Sequence, residues 1–304
     1  MHPPLAHGQS AMPSLHDQTT IRRTQSGTDH ISHMEKVTLT GSAATLLLTL
    51  YGRALESRSP EPLLWDPTAE QAVDAIDYDF SGLGINRTAV VSIAARARRL
   101  DEWTTRFLHD HPQATVLHLG CGLDSRIERV KPPPSVSWFD VDYPEVIELR
   151  RRLFPARDHH TLVASSVTEP GWLDNVPADR PVLVIAEGLT MYLYHDDFRA
   201  LVLSILRRFR EGELAFDVLN RFAVRVVNRS RMMKVTGAAA VWGLEDVREI
   251  AAWNSRLTLV ETVPSYSVCG VDKLPVRMRI ATRIPVFRDS SRLLRLTFDI
   301  RCSG

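Results

Sequence analysis

Thr115-Val116-Leu117-His118-Leu119-Gly120-Cys121-Gly122-Leu123-Asp124-Ser125-Arg126 reads as a buried strand running into a two-glycine turn. Gly120 and Gly122 let the backbone approach a ligand where a Cβ would collide. A second strand, Trp138-Phe139-Asp140-Val141-Asp142, ends on an acid. That acid lies about 20 residues beyond the glycines, the spacing that suits the two hydroxyls of a ribose. Asp140 and Asp142 share a face by the strand period of two, and Asp142, closing the strand, is the candidate for the ribose, with Asp140 a helper or a structural residue. Together the turn and the acid predict a nucleoside ligand.

The choice of nucleoside rests on the next two residues. A dinucleotide site asks for a third glycine, so that the following helix can hold a pyrophosphate on its N-terminus. Ser125 takes that place, and Asp124 beside it sets a carboxylate where the phosphates would lie. S-adenosyl-L-methionine has no phosphate and carries a sulfonium and an ammonium, which an acidic rim favours. Methyl transfer is therefore expected before hydride transfer. A nucleotide-dependent oxidoreductase is the rival reading, and a cofactor-binding module without turnover is a second.

With 304 residues the chain can bury a full core, and a formal charge of +1 points to neither nucleic acid nor an anionic membrane as partner. Lysine supplies only four of the 37 basic residues (Lys36, Lys131, Lys234 and Lys273), an arginine bias that reads as composition and not as a binding patch. Cys121, Cys269 and Cys302 are too widely spaced for a disulfide framework or a zinc site, and no metal is expected. No apolar run approaches 18 residues and no basic-then-apolar leader is present, so a soluble, cytoplasmic protein is expected.

Residues 1–33 scatter His2, His7, His16, His30 and His33 among polar residues without apolar period, and a disordered tail is expected there. The patterned sequence, 34–304, divides into a helical cover over 34–112, a sheet core over 113–220 and 255–304, and a cap insertion over 221–254. Helical spacing from Thr45 to Glu56 opens the cover, and Asp66-Pro67 caps the next helix. A third helix runs from about Thr88 to His109. Strands at 114–120, 136–141, 161–165, 181–186 and 213–219 then alternate with helices at 144–154 and 196–210, and strand candidates at Leu257–Val263 and Leu293–Ile300 close the chain. The cap is expected to hold a helix starting near Leu244. The fold class is α/β, a doubly wound, Rossmann-like sheet with an N-terminal helical cover and an inserted helical cap.

Further candidates follow from placement. Arg96, on the helix before the glycine strand, is positioned to fork a cofactor carboxylate through two parallel bonds. Val182-Leu183-Val184-Ile185-Ala186 delivers Glu187 to a strand end, where a carboxylate is costly unless it faces a ligand or a partner. Tyr192 supplies either an aromatic wall or core packing. Ser165 and Ser166, after the third strand, offer backbone and hydroxyls to an adenine edge, or cap a helix. His118 is read as a core histidine, and His195 as a helix cap or a solvent-facing side chain.

Leu119–Arg126, Asp140-Val141-Asp142-Tyr143-Pro144-Glu145-Val146-Ile147 and Ala186-Glu187-Gly188-Leu189 together resemble the leucine carboxyl methyltransferase family, and within it the bacterial, polyketide-type branch. Thr40-Gly41, Arg53-Ala54-Leu55-Glu56-Ser57, Asp66-Pro67 and Arg96-Ala97-Arg98-Arg99-Leu100-Asp101 fit the same pattern, which covers roughly residues 35 to 300. The resemblance implies a class I S-adenosyl-L-methionine methyltransferase fold and carboxyl O-methylation. It implies the methionine carboxylate on Arg96, close backbone approach at Gly120 and Gly122, the ribose on Asp142 and a cofactor-facing acid at Glu187. Where the family pattern often has an acid after the third strand, this chain has Ser165 and Ser166, which leaves the adenine contact open. The eukaryotic branch methylates the C-terminal leucine of a protein phosphatase, whereas the flanks here favour a small-molecule acid.

A carboxylate acceptor is already ionised at neutral pH, while a phenol, the alternative acceptor, needs a base in reach. No histidine is placed by sequence for that task. Carboxylate methylation by proximity and desolvation is therefore expected, with Arg221 or Arg225 of the cap orienting the acid.

Overall fold

In the computed structural model, which describes residues 35–37, 45–267 and 270–299, seven strands form one sheet. They are β1 (Thr115–Leu119), β2 (Ser137–Asp142), β3 (His160–Ala164), β4 (Val182–Ala186), β5 (Gly212–Leu219), β6 (Leu257–Pro264) and β7 (Ser291–Phe298). Their spatial order is β3-β2-β1-β4-β5-β7-β6. β1 to β5 are mutually parallel, and β7 slots antiparallel between β5 and β6. The strand order therefore reverses between β1 and β4, and ligands bind outside the carboxyl ends of such sheets at that switch point. β1 and β4 are buried at every position, as expected of parallel strands covered on both faces. Their apolar runs, Thr115–Leu119 and Val182–Ala186, follow from that double burial.

The predicted strands and long helices agree with the structure to within one or two residues at most ends. The predicted tail, residues 1–33, lies outside the described residues. Before β1 come α1 (Leu46–Ser57), α2 (Pro67–Ala75) and α3 (Arg87–Asp110). Asp66 caps α2 by accepting from the Ala69 N–H, with Pro67 in the first turn where its missing donor costs nothing. Asn86 caps α3 through the Ala89 N–H. After β1 the chain makes α4 (Arg126–Val130), and α5 (Pro144–Leu153) and α6 (His195–Arg208) follow β2 and β4. One buried cluster joins α6 to one face of the sheet, and Leu100, Trp103 and Phe107 of α3 cover the other. A third cluster packs Leu46, Leu47 and Leu50 of α1 against Leu123 of the glycine turn and Val146 of α5. The helical cover is thus seated directly on the turn that the motif reading singled out.

Two segments differ from expectation. The region after β5 folds as α7 (Arg221–Asn228) and α8 (Arg231–Thr236), but no helix starts near Leu244. Instead the Leu244 N–H donates to the Leu219 carbonyl at 2.7 Å and its side chain is buried in the core on that face of the sheet. The helix begins only at α9 (Arg248–Ala251). The proline-punctuated stretch between β6 and β7 contains two further helices, α10 (Val276–Ala281) and α11 (Pro285–Arg288), each started at a proline boundary. No described helix is long and apolar enough to cross a membrane.

Leu50 is fully buried where the cover meets the turn. Leu50→Ala is expected to cost about 2–5 kcal/mol of unfolding free energy in urea titration; a loss below about 1 kcal/mol would mean that the cover is not packed on the core as described.

Candidate functional site

Gly120 and Gly122 both adopt left-handed backbone, with φ of 60° and 50°. A Cβ on Gly120 would stand 2.9 Å from Leu189 Cδ1, and one on Gly122 would stand 3.3 Å from Leu46 Cβ. The turn is therefore restricted to glycine by conformation as well as by space. The Gly122 N–H donates to Asp142 Oδ2 at 2.7 Å, and the Tyr143 N–H donates to Asp142 Oδ1 at 2.8 Å. These bonds hold the Asp142 carboxylate at the mouth of the turn, while its burial raises its pKa more than they lower it.

Asp140 is structural. It accepts from Trp138 Nε1 at 2.9 Å, from the rings of His118 and His160 and from Arg150, and it has no exposed surface. Desolvation pushes its carboxyl up, and Arg150 with the two histidines outweighs this, leaving it well below the usual range. His118 Nε2 lies 3.2 Å from Arg126 Nη1. Arginine only donates, so Nε2 accepts there, and the Nδ1–H donates to Asp140. His118 is thus a core histidine with both ring nitrogens engaged.

One cleft at the carboxyl ends of the strands gathers Arg96, Gly120, Gly122, Asp142, Ser165, Ser166, Glu187 and Tyr192. Ser165 continues β3 by donating its N–H to the Asp142 carbonyl at 2.9 Å, and Ser166 shares its hydroxyl with Thr168. Tyr192 lies in the short turn Thr190–Tyr192 and is hydrogen-bonded to Thr45; burial raises its phenol pKa. Arg221 and Arg225 are not in this cleft. They line a separate groove with His195, Trp242 and Glu249. Arg221, the first residue of α7 after its Asn220 cap, and Arg225 are both exposed. His195 starts α6 with Nδ1 2.8 Å from Asp196 and Nε2 3.0 Å from Glu249.

The electrostatics of the turn correct one expectation. Asp124 does not offer a free carboxylate to a ligand: Arg126 at 3.0 Å, Arg129 at 2.8 Å and Arg53 at 3.8 Å surround it. Desolvation pushes Asp124 up, and these three guanidinium groups outweigh it and hold it well below the usual carboxylate range. Ser125, in the place of a dinucleotide site's third glycine, is buried, and its hydroxyl donates to the Asp66 carboxylate, whose two oxygens lie at 2.6 and 2.7 Å. Asp66 is itself fully buried and paired with Arg53 at 3.1 Å and Arg129 at 2.8 Å.

Glu187 and Arg96 meet across the cleft wall. Arg96 Nε donates to Glu187 Oε1 at 2.9 Å and Arg96 Nη1 donates to Asp217 Oδ2 at 2.9 Å. Arg126 holds the other oxygen of Glu187. Desolvation pushes Glu187 up; Arg96 and Arg126 outweigh it and lower its pKa. Asp217 and Arg126 were not picked out from sequence. An acid inside the apolar strand that ends at Leu219 carries the signal that flagged Glu187, and Arg126 lies at the edge of the motif itself.

Comparisons with known proteins agree with this geometry. The family model described as leucine carboxyl methyltransferase matches residues 47–206. The tetracenomycin polyketide synthesis O-methyltransferase TcmP of Streptomyces glaucescens is 42% identical over 271 residues, covering 87% of this chain and 99% of that protein. The S-adenosyl-L-methionine-dependent methyltransferase dpfgK of Gibberella zeae is 37% identical over 236 residues, 71% of this chain and 79% of that one. Among solved structures, a methyltransferase from Thermobifida fusca superposes with a TM-score of 0.56 at 18% identity, over 86% of this chain and 96% of that one, a likeness of fold.

Gly120→Val is expected to abolish calorimetric binding of S-adenosylhomocysteine while circular dichroism stays native in shape; undiminished affinity would remove the turn from the site. Acid titration supplies a second check. Asp66, Asp124, Asp140 and Glu187 have lowered pKa values in the folded state. Their stabilisation is therefore complete above the unfolded carboxylate pKa of about 4 and is lost as pH falls through the lower folded values. The urea midpoint is expected to be level from about pH 7 to pH 5 and to drop steeply below about pH 4; a midpoint that rises on acidification would contradict these pairings.

Proposed function

The chain belongs to the leucine carboxyl methyltransferase family, and from that premise we propose that it methylates the carboxylate of a small-molecule, polyketide-type acid. It is an S-adenosyl-L-methionine-dependent methyltransferase. The cleft fits that cofactor: glycines 120 and 122 make a positive-φ turn in its wall, Asp142 closes β2 beside them, and Ser125, bonded to Asp66, stands where a dinucleotide site has its third glycine. In this reading Asp142 takes the ribose, the backbone at Gly120 and Gly122 lies against the nucleoside, and Ser165 and Ser166 border the adenine. Arg96 faces the methionine carboxylate, and Glu187 lies near the amino group. When bound, the cofactor supplies an electrophilic methyl group on a sulfonium.

The observation that carries the carboxylate reading is the state of the basic groups in the cleft wall. Both nitrogens of His118 are engaged by Asp140 and Arg126. Asp124 and Glu187 are held by guanidinium groups with lowered pKa values, which makes them poor proton acceptors. Asp142 has both oxygens on backbone N–H groups. Among the described lining residues no base is poised to deprotonate a phenol with a pKa near 10, whereas a carboxylate needs no base. The chain's own task is then to hold the acceptor oxygen in line with the methyl carbon and to keep water away, a positioning effect of up to about 7–11 kcal/mol. Tyr192, kept neutral by burial, supplies a wall for that purpose. The polyketide-type acceptor is drawn from the name of the relative that matches over nearly its whole length.

Incubation with methyl-labelled cofactor and a panel of aromatic polyketide acids tests the acceptor chemistry. The label is expected in a product that mild alkali hydrolyses to methanol, as an ester requires. Label that survives alkali would be an ether, and would assign the enzyme to phenol methylation instead.

A further inference from the structure

We propose that Asp217 is the positioning residue for the cleft-facing edge of Arg96, and that it acts on the amino-acid end of the cofactor alone. The proposal rests on the reading of Arg96 as the contact of the methionine carboxylate. Asp217 lies on β5 with a side chain that is 1% exposed, so it touches no ligand itself. Its Oδ1 accepts the Gly188 N–H at 2.6 Å and its Oδ2 accepts Arg96 Nη1 at 2.9 Å. Its carbonyl accepts the Thr190 hydroxyl. One carboxylate therefore ties α3 and the turn after β4 to a buried strand.

The consequence is directional. Glu187 occupies Nε of Arg96 and Asp217 occupies Nη1, so Nη2 remains without a hydrogen-bond partner among the described residues. Nη2 stands beside Gly188, where a Cβ would come within 3.4 Å of it, and Gly188 has a φ of 68°. The same carboxylate thus sets both the donor and the gap through which it faces the cleft. Guanidinium geometry is planar and rigid, so anchoring two of its three nitrogens fixes the direction of the third. An amide at position 217 keeps one acceptor and opposes an N–H donor to the other partner. Arg96 would then lose one anchor, and its charge would remain.

The test compares two ligands by calorimetry: S-adenosylhomocysteine, which has the amino-acid end, and methylthioadenosine, which lacks it. Asp217→Asn is expected to weaken the first about tenfold or more, the value of one charge-assisted hydrogen bond, and to change the second by less than about twofold. Gly188→Ala, which narrows the same gap and strains the positive-φ turn that Asp217 holds, is expected to give the same selective loss and serves if Asp217→Asn does not fold. Equal weakening of both ligands in either variant, or no weakening of S-adenosylhomocysteine, overturns the proposal. Arg96→Gln separates the two levels of the argument. If it discriminates between the ligands and the other two variants do not, Arg96 stands and Asp217 falls; if it does not discriminate, the reading of Arg96 fails and the proposal with it.

Discussion

Charge buried beside the glycine turn has to be paired, and the way it is paired holds this molecule together. Arg53 of α1, Asp66 at the start of α2, Asp101 of α3, and Asp124, Arg126 and Arg129 beside the turn form one continuous set of ion pairs. Through Glu187 and Arg96 the set reaches Asp217 in the sheet. Pairs of this kind add little net stability over apolar packing, but removing one partner strands a buried charge at a cost of about 3–5 kcal/mol. Their effect is geometric: cover, turn and strand end can be assembled in only one arrangement. The cleft is the space that arrangement leaves.

That constraint changes the account of why the site takes a nucleoside without phosphates. Repulsion by a free Asp124 is the explanation the local sequence invites, yet three guanidinium groups compensate that carboxylate. What the structure shows at the start of α4 is a buried Ser125 hydroxyl bonded to the Asp66 carboxylate. That partner is 59 residues away along the chain.

This distance also explains what was legible in the sequence and what was not. Strands β1 and β4, the positive-φ glycines and Asp142 were readable because their signals are local: an apolar run, a turn and a fixed spacing. Glu187 was readable as a carboxylate where burial is expensive, and Arg96 as an arginine on the helix before the glycine strand. Their partnership was not, since 91 residues separate them. Asp217 sits 121 residues from Arg96, and only the parallel pairing of β4 with β5 brings it to the turn. Arg221 and Arg225 mark the opposite failure. Their place in the cap over the strand ends suggested a role in the cleft, but both line a separate groove with His195 and Trp242. A helix was expected from near Leu244, which instead is bonded through its N–H to the Leu219 carbonyl.

The family's chemistry asks little of the protein beyond this scaffold. On the proposed carboxylate reading the acceptor is already ionised and needs no base, so that orientation and exclusion of water carry the catalysis. The account stands or falls on the nucleoside's seat, and a crystal structure with S-adenosylhomocysteine examines it most directly. The ribose hydroxyls are predicted on Asp142, with the adenosine against Gly120 and Gly122 and the Arg53–Asp66–Arg129 pairs unbroken. A nucleoside bound elsewhere, or one that enters only after Asp66 and Ser125 separate, would contradict it.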